Sequence, residues 1–129
     1  MPGRATAPRS GANLEREVEG LVARLGLEVR RKVRVGRRLW GNIREIDVVA
    51  MHPQTRKTLG LECKFQGSRG TAEEKIPSLI NDIEAWPIQG IVVFDGPGFS
   101  ENMKLYFVST GRAVALEDLE DWLRLFFAL

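Results

Sequence analysis

Apolar positions first fall into a pattern at Leu14, Val18, Leu21, Val22 and Leu25, the i, i+4, i+7, i+8, i+11 spacing that turns one face of a helix into a core. Asn13 stands where an N-cap is wanted and Gly26 where the helix must stop, so a first helix is expected over about residues 13–25. The period then drops to two. Val29, Val33 and Val35 alternate with Arg30, Lys32 and Arg34 as far as Gly36, which predicts a strand with one apolar and one basic face. Two more strands are expected, over about 43–51 and 58–66.

Thr71 with Glu74 has the look of a capping box, but Pro77 breaks a helix already under way. A second helix is therefore expected to begin with Pro77 in its first turn and to bury Ile76, Leu79, Ile80 and Ile83 before Pro87. The run Gly90–Phe94 is continuously apolar, as in a strand buried on both faces, and ends at the turn Asp95-Gly96-Pro97-Gly98. Ser100 is the N-cap candidate of a third helix that Gly111 terminates. Arg112–Leu116 reads as a short strand and Glu117–Phe127 as a last helix, its acidic first turn suited to the helix dipole. The order α-β-β-β-α-β-α-β-α predicts an α/β domain with a mixed sheet flanked by helices. At 129 residues, one core is expected: a domain over 13–129 behind a flexible basic tail of residues 1–12.

The two middle strands carry the chemistry. If 43–51 and 58–66 form a hairpin closed by the six residues His52 to Lys57, paired positions sum to 109 and Asp47 faces Glu62. Alternation then puts Glu45, Asp47, Glu62, Lys64 and Gln66 on one face, and Ile46, Val48, Ala50, Leu59, Leu61, Cys63 and Phe65 on the other. Opposed Cβ atoms lie roughly 4.5–5.5 Å apart, and two carboxylates there repel unless a proton or a cation stands between them. A hard divalent cation such as Mg²⁺ suits carboxylate and carbonyl oxygen, keeps several waters and can share a substrate phosphate. Lys64, on the face of Glu62, is placed to orient an attacking water or to stabilise charge on a phosphate. A solvated face with weak surface ion pairs is the alternative. Consecutive Val48 and Val49 weigh against it, since they imply a strand covered on both sides, where a carboxylate needs a partner.

Composition narrows the class of molecule. With 43% hydrophobic and 28% charged residues the chain is globular in character, and no apolar run reaches the roughly 20 residues of a membrane-spanning helix. The N-terminal MPGRATAPRSGAN lacks the apolar core of a secretory signal, and the single Cys63 can form no internal disulfide, which together point to a cytoplasmic protein. One cysteine and one histidine do not make a zinc site. The net charge of +2 hides an asymmetry, because residues 1–44 hold 11 Lys+Arg against 4 Asp+Glu. Six of the nine residues from Arg30 to Arg38 are basic, a density that suits a phosphate backbone, or else a solvated strand and turn.

Asp47 on one strand and Glu62-Cys63-Lys64 on the next resemble the PD-(D/E)XK nucleases, the restriction-endonuclease-like superfamily. The order α-β-β-β-α-β from Asn13 to Phe94 is similar to that family's core, here with an added C-terminal strand and helix. The segment VVFDGPGFSENMK is similar to one in Mrr-like and Holliday-junction-resolvase-like members. Ile46 stands where the family often has proline. The resemblance implies that Asp47, Glu62 and the Cys63 carbonyl hold Mg²⁺, with Mn²⁺ a possible substitute, and that Lys64 assists the attacking water. It also implies a supporting acid on the first helix. Glu15 and Glu17 flank the apolar stripe, and Leu14-Glu15 looks like the family's pattern, so the resemblance implies Glu15 as that acid and as a further metal ligand; a solvated acid paired with an arginine is the alternative. Gln66 is expected to contact the scissile strand.

The remaining features are weighed more plainly. Cys63 is expected to be a core residue and His52 a turn residue, which leaves no histidine- or cysteine-based hydrolase to build. Gly96-Pro97-Gly98 reads as a turn rather than a phosphate cradle. Arg30, Lys32, Arg34, Arg37 and Arg38, with Arg69 and Lys75 near the site, are expected on nucleic-acid phosphates. Trp122, Leu123, Leu125, Phe126, Phe127 and Leu129 make the last helix apolar over more than one face, which predicts a homodimer. The expected function is a metal-dependent endonuclease acting on DNA, RNA being left open, with little sequence specificity because the chain is scarcely more than a catalytic core. The rivals are a non-cleaving nucleic-acid-binding module of the same fold and an interaction domain with no nucleic-acid role.

Overall fold

The computed structural model describes residues 10–37, 41–68 and 76–129. Helix α1 spans Gly11–Arg24 and buries Leu14, Val18, Leu21 and Val22, the stripe its spacing predicts. Its cap is Ser10, not Asn13: the Ser10 Oγ accepts from Asn13 N–H at 3.2 Å, so the helix starts nearly one turn early. Strands β1 (Glu28–Arg37), β2 (Ile43–Met51) and β3 (Thr58–Phe65) form an antiparallel meander. Helix α2 (Ile76–Glu84) returns the chain to β4 (Gln89–Asp95), parallel to β3, and α3 (Glu101–Ser109) leads to β5 (Ala113–Ala115), parallel to β4. One 3-10 turn, Leu116–Asp118, precedes α4 (Leu119–Phe127). The last strand and helix are each shorter than the sequence pattern suggested, because this turn takes the residues between them.

The sheet order β1-β2-β3-β4-β5 is the expected mixed sheet flanked by helices. One apolar layer joins α1 and α4 to Val48, Ala50, Leu59, Leu61, Ile91 and Val93. The other joins α2 and α3 to Ile46, Val49, Val92 and Phe94, with Phe94, Phe99 and Phe107 meeting edge to face at 5.2–5.6 Å. Gly60 and Gly90 are paired across β3 and β4, and a Cβ on Gly90 would lie 2.5 Å from the Trp86 ring, so the bare backbone is the floor on which Trp86 packs. Leu123 and Phe127 of α4 are buried in the domain's own core, which leaves Leu125 and Leu129 as the exposed large apolar side chains at that end. Among the described residues no helix is long and apolar enough to cross a membrane.

Candidate active site

The hairpin register is the expected one, with Met51↔Thr58, Ala50↔Leu59, Val49↔Gly60 and Val48↔Leu61. The pairing stops there, one residue short of Asp47 and Glu62. From that point β2 continues alongside β1 while β3 continues alongside β4 as far as Phe65↔Asp95, so the two strands open as a fork. The Asp47 carboxylate takes the place of the missing ladder partner: its Oδ2 accepts from Cys63 N–H at 2.9 Å. Asp47 and the Glu62-Cys63-Lys64 segment are thus brought together, on the two prongs of the fork.

The face assignment needs correcting on β1 and β2. Val48 and Ala50 pack in the α1 layer as expected, but Ile46 packs in the α2 layer, although all three are an even number of residues apart. On β1, Val29 packs toward α1 while Val33 and Val35 pack toward α2, so the predicted single apolar face is split. On β1 the reversal falls at Lys32, which has φ 54 in the middle of the strand. A left-handed residue reverses the alternation, and for a non-glycine it costs on the order of 1–3 kcal/mol. The flanking pairs Arg31↔Val48 and Val33↔Ile46 set Lys32 across from Asp47. On β3 the alternation is regular, with Cys63 and Phe65 against the α1 layer, so Glu62 and Lys64 leave the strand on the opposite side.

Glu15 of α1 is turned toward the fork and is largely covered, with 14% of its side chain exposed. Its Oε1 accepts from Arg31 Nη2 at 2.7 Å and lies 2.8 Å from Lys32 Nζ; Arg31 Nη1 also reaches Glu19 at 3.1 Å. Burial opposes the Glu15 charge, but the hydrogen bonds and charges of Lys32 and Arg31 outweigh it and hold the carboxyl below its usual range. Asp47 is as covered, at 16%, and less well compensated: Lys32 Nζ stands 3.8 Å from its Oδ1, too far for a hydrogen bond. Burial pushes the Asp47 carboxyl above its usual range; the Cys63 N–H and Lys32 oppose this, and the charges of Glu15 and Glu45 add to it. The Cys63 thiol is pushed far above the ordinary thiol range by burial and then by Asp47, Glu15 and Glu62, so it is a core group with no thiolate chemistry.

Lys64 is half-buried and forms no ion pair among the described residues. Gln66 is buried at 5% exposure; its Nε2 donates to the Gly98 carbonyl at 2.8 Å and its Oε1 is buried without a hydrogen-bond partner. The turn after β4 is therefore clamped to the end of β3, with Gly98 N–H donating to the Gln66 carbonyl as well. Arg30, Arg34 and Arg37 are exposed along β1, and Arg37 donates to the Gly41 carbonyl at 2.7 Å. Arg38, Arg69 and Lys75 lie outside the described residues. His52 closes the hairpin turn, its Nδ1 accepting from Gln54 and Thr55 N–H, as a turn residue should. What sequence reasoning missed is that Arg31 and Lys32 both serve Glu15. Adjacent strand residues are expected on opposite faces, and no glycine marks the reversal.

The pattern of residues and the fork agree with a match over residues 6–113 to the model of the PD-(D/E)XK nuclease superfamily domain. The chain belongs to this superfamily. Two solved structures share the PD-(D/E)XK chain's fold. The protein of unknown function AF1548 matches with a TM-score of 0.53 and 23% identity, over 78% of this chain and 55% of that one. Protein VC1899 from Vibrio cholerae matches with a TM-score of 0.55 and 21% identity, over 86% of this chain and 31% of that one. The chain spans about half the length of the first and about a third of the second. No curated protein matches it.

PD-(D/E)XK nucleases typically use divalent metals, and the donor set here can be compared with that need. Among the described residues no group of three or more His, Cys, Asp and Glu side chains is arranged to hold a metal ion. A hard cation that keeps most of its water needs only one or two carboxylates with carbonyl oxygen. Asp47 is a covered carboxylate short of positive charge, and its neighbours offer oxygen rather than sulfur or imidazole, so the donors fit a hard cation in kind.

Proposed function

We propose that this domain is a divalent-metal-dependent nuclease that hydrolyses DNA phosphodiester bonds with little sequence preference. The observation that carries the reading is the fork: the sheet opens where Asp47 and Glu62 stand on its two prongs, and the partly buried Asp47 carboxylate accepts there from the Cys63 N–H. Asp47 and Glu62, with the Cys63 carbonyl, would hold Mg²⁺ or Mn²⁺, which when bound lowers the pKa of a coordinated water and neutralises charge on the phosphate. Lys64 orients the attacking water or stabilises the charge that develops as the P–O bond breaks. Glu15 supports Asp47 from α1, fixed there by Arg31. Gln66 acts through the clamp on Gly98, holding the end of β3 beside the scissile strand. The exposed arginines of β1, with Arg38, Arg69 and Lys75, supply phosphate contacts, and a second copy docks through α4.

The decisive experiment incubates plasmid, linear, branched and single-stranded DNA, and single-stranded RNA, with wild type and Asp47→Ala, in Mg²⁺, in Mn²⁺ and without metal. Metal-dependent cleavage by the wild type and none by the variant is the expected result. Equal cleavage by both sinks the mechanism. Salt-dependent binding with no cleavage under any condition would assign a non-cleaving binding module instead.

A further inference from the structure

Lys32 is the one described residue that spends backbone strain inside the fork's surroundings, and its neighbours say what for. In a regular strand Arg31 and Lys32 would point to opposite faces. With φ 54 at Lys32, both reach the same oxygen, Glu15 Oε1, at 2.7 Å and 2.8 Å. Arg31 contacts Glu15 at 2.7 Å and is braced by Glu19 at 3.1 Å. Lys32 is a second cation on the same oxygen. What it adds is a positive charge 3.8 Å from Asp47 Oδ1, on a side chain half exposed and hinged on a flexible stem. Backbone strain of this kind collects where function fixes it.

We propose that Lys32 is a built-in counter-ion of the site: its ammonium occupies the space between Glu15 and Asp47 and competes with a divalent cation for the Asp47 carboxylate. This rests on the reading of Asp47 as a cation ligand. A cation held by Asp47 would repel the Lys32 ammonium, whose half-exposed side chain has solvent to move into. Lys32 is thus a positioning residue, holding Asp47 in the empty site and yielding it on loading. A structural role alone would make its removal loosen the site, whereas loss of a competitor tightens it.

The test measures Mn²⁺ binding to the full chain without DNA, by the loss of the free-ion electron paramagnetic resonance signal at fixed pH and ionic strength. Lys32→Met removes the charge and keeps the length; Lys32→Gly removes the charge and the backbone strain together. Both are expected to bind Mn²⁺ at least fivefold more tightly than wild type, Lys32→Arg to stay within twofold, and Asp47→Ala to abolish binding in every background. Thermal melts followed by circular dichroism confirm folding, and Lys32→Gly is expected to melt no lower than Lys32→Met. Asp47-dependent binding in the wild type that is unchanged or weaker in both neutral variants overturns the counter-ion and leaves the nuclease reading standing. Absence of Asp47-dependent binding in every variant overturns both. Binding that emerges only in Lys32→Met and Lys32→Gly supports the competition directly.

Discussion

The Asp47 carboxylate and the Cys63 N–H are joined at 2.9 Å just where the ladder between β2 and β3 ends. One oxygen of Asp47 is thereby committed to architecture, and the charge is what remains for chemistry. Asp47→Asn keeps an acceptor for Cys63 and removes the charge, whereas Asp47→Ala removes both. Cleavage is expected to fall roughly a thousandfold or more in each, equivalent to ~4 kcal/mol of transition-state stabilisation. Stability is expected to separate them. The folded-state pKa of Asp47 is raised, so its ionised form destabilises the fold at every pH above its ordinary value near 3.8. At pH 7 Asp47→Asn should therefore melt above the wild type, by something on the order of 1 kcal/mol, and Asp47→Ala below Asp47→Asn. Calorimetry of the three proteins without metal checks the order.

Glu15 behaves with the opposite sign. Its folded-state pKa is lowered, so the ionised group stabilises the fold above its ordinary value near 4.5, and that contribution is lost as pH falls through the folded value. Glu15→Gln should cost on the order of 1–2 kcal/mol at pH 7, since it leaves Arg31 and Lys32 without their shared acceptor. The deficit should shrink steadily below about pH 4.5. Denaturant melts of both proteins between pH 3 and pH 8 measure it; a deficit independent of pH would remove the ion pair from the account.

Gly96 is where the turn after β4 meets the end of β3. It has φ 114, and a Cβ there would collide with the Gln66 carbonyl oxygen. Gly96→Ala should destabilise by about 3 kcal/mol, by the combination of strain and displaced backbone. Because the same turn holds the Gln66 side chain through Gly98, residual folded protein should also lose cleavage more than its folded fraction explains. Activity normalised to the folded population, read from circular dichroism, tests this.

Much of this architecture is legible in the sequence because it rests on local rules. The six-residue loop from His52 to Lys57 fixes the hairpin register by counting, and the run Gly90–Phe94 announces a strand covered on both faces. Ser100 caps α3 as its chemistry predicts, accepting from Met103 N–H at 3.2 Å. The fork is illegible for a different reason: the β2–β3 ladder ends at Val48↔Leu61 while β3 keeps β4 on its other edge as far as Phe65↔Asp95, an arrangement that counting along the hairpin does not contain. Lys32 is illegible because positive φ is normally signalled by glycine or asparagine, and here a lysine adopts it under tertiary constraint. That single residue is why the faces of β1 reverse, and why Glu15 gathers two cations instead of one.

The arginines of β1 divide into two kinds. Arg31 is tied to Glu15 and Glu19, whereas Arg30 and Arg34 are exposed on the strand. Arg30→Ala and Arg34→Ala should each lower the slope of log affinity for DNA against log salt by about 1, with little effect on melting temperature. Arg31→Ala should instead lower the melting temperature and leave the slope nearly unchanged. Fluorescence anisotropy across a salt series, paired with melts, separates the two; a slope unaffected by either exposed arginine would remove β1 from the binding surface.

The last helix carries the prediction of self-association. Leu125 is 86% exposed, and beside it Trp122 and Phe126 stack at 5.1 Å with Lys57 Nζ 4.2 Å from the Phe126 ring centroid. Leu123 and Phe127 face inward, so the apolar surface left outside is narrower than the sequence alone implies. Leu125→Asp introduces a charge at its centre without touching the core. If α4 joins two copies, sedimentation at micromolar concentration should show a dimer for the wild type and a monomer for Leu125→Asp. The variant's own domain should lose no more than about 0.5 kcal/mol of intrinsic stability, since the position is solvent-facing in the monomer. A wild type that sediments as a monomer throughout this range would mean that Leu125 is an isolated surface leucine, of the kind folded proteins carry without consequence.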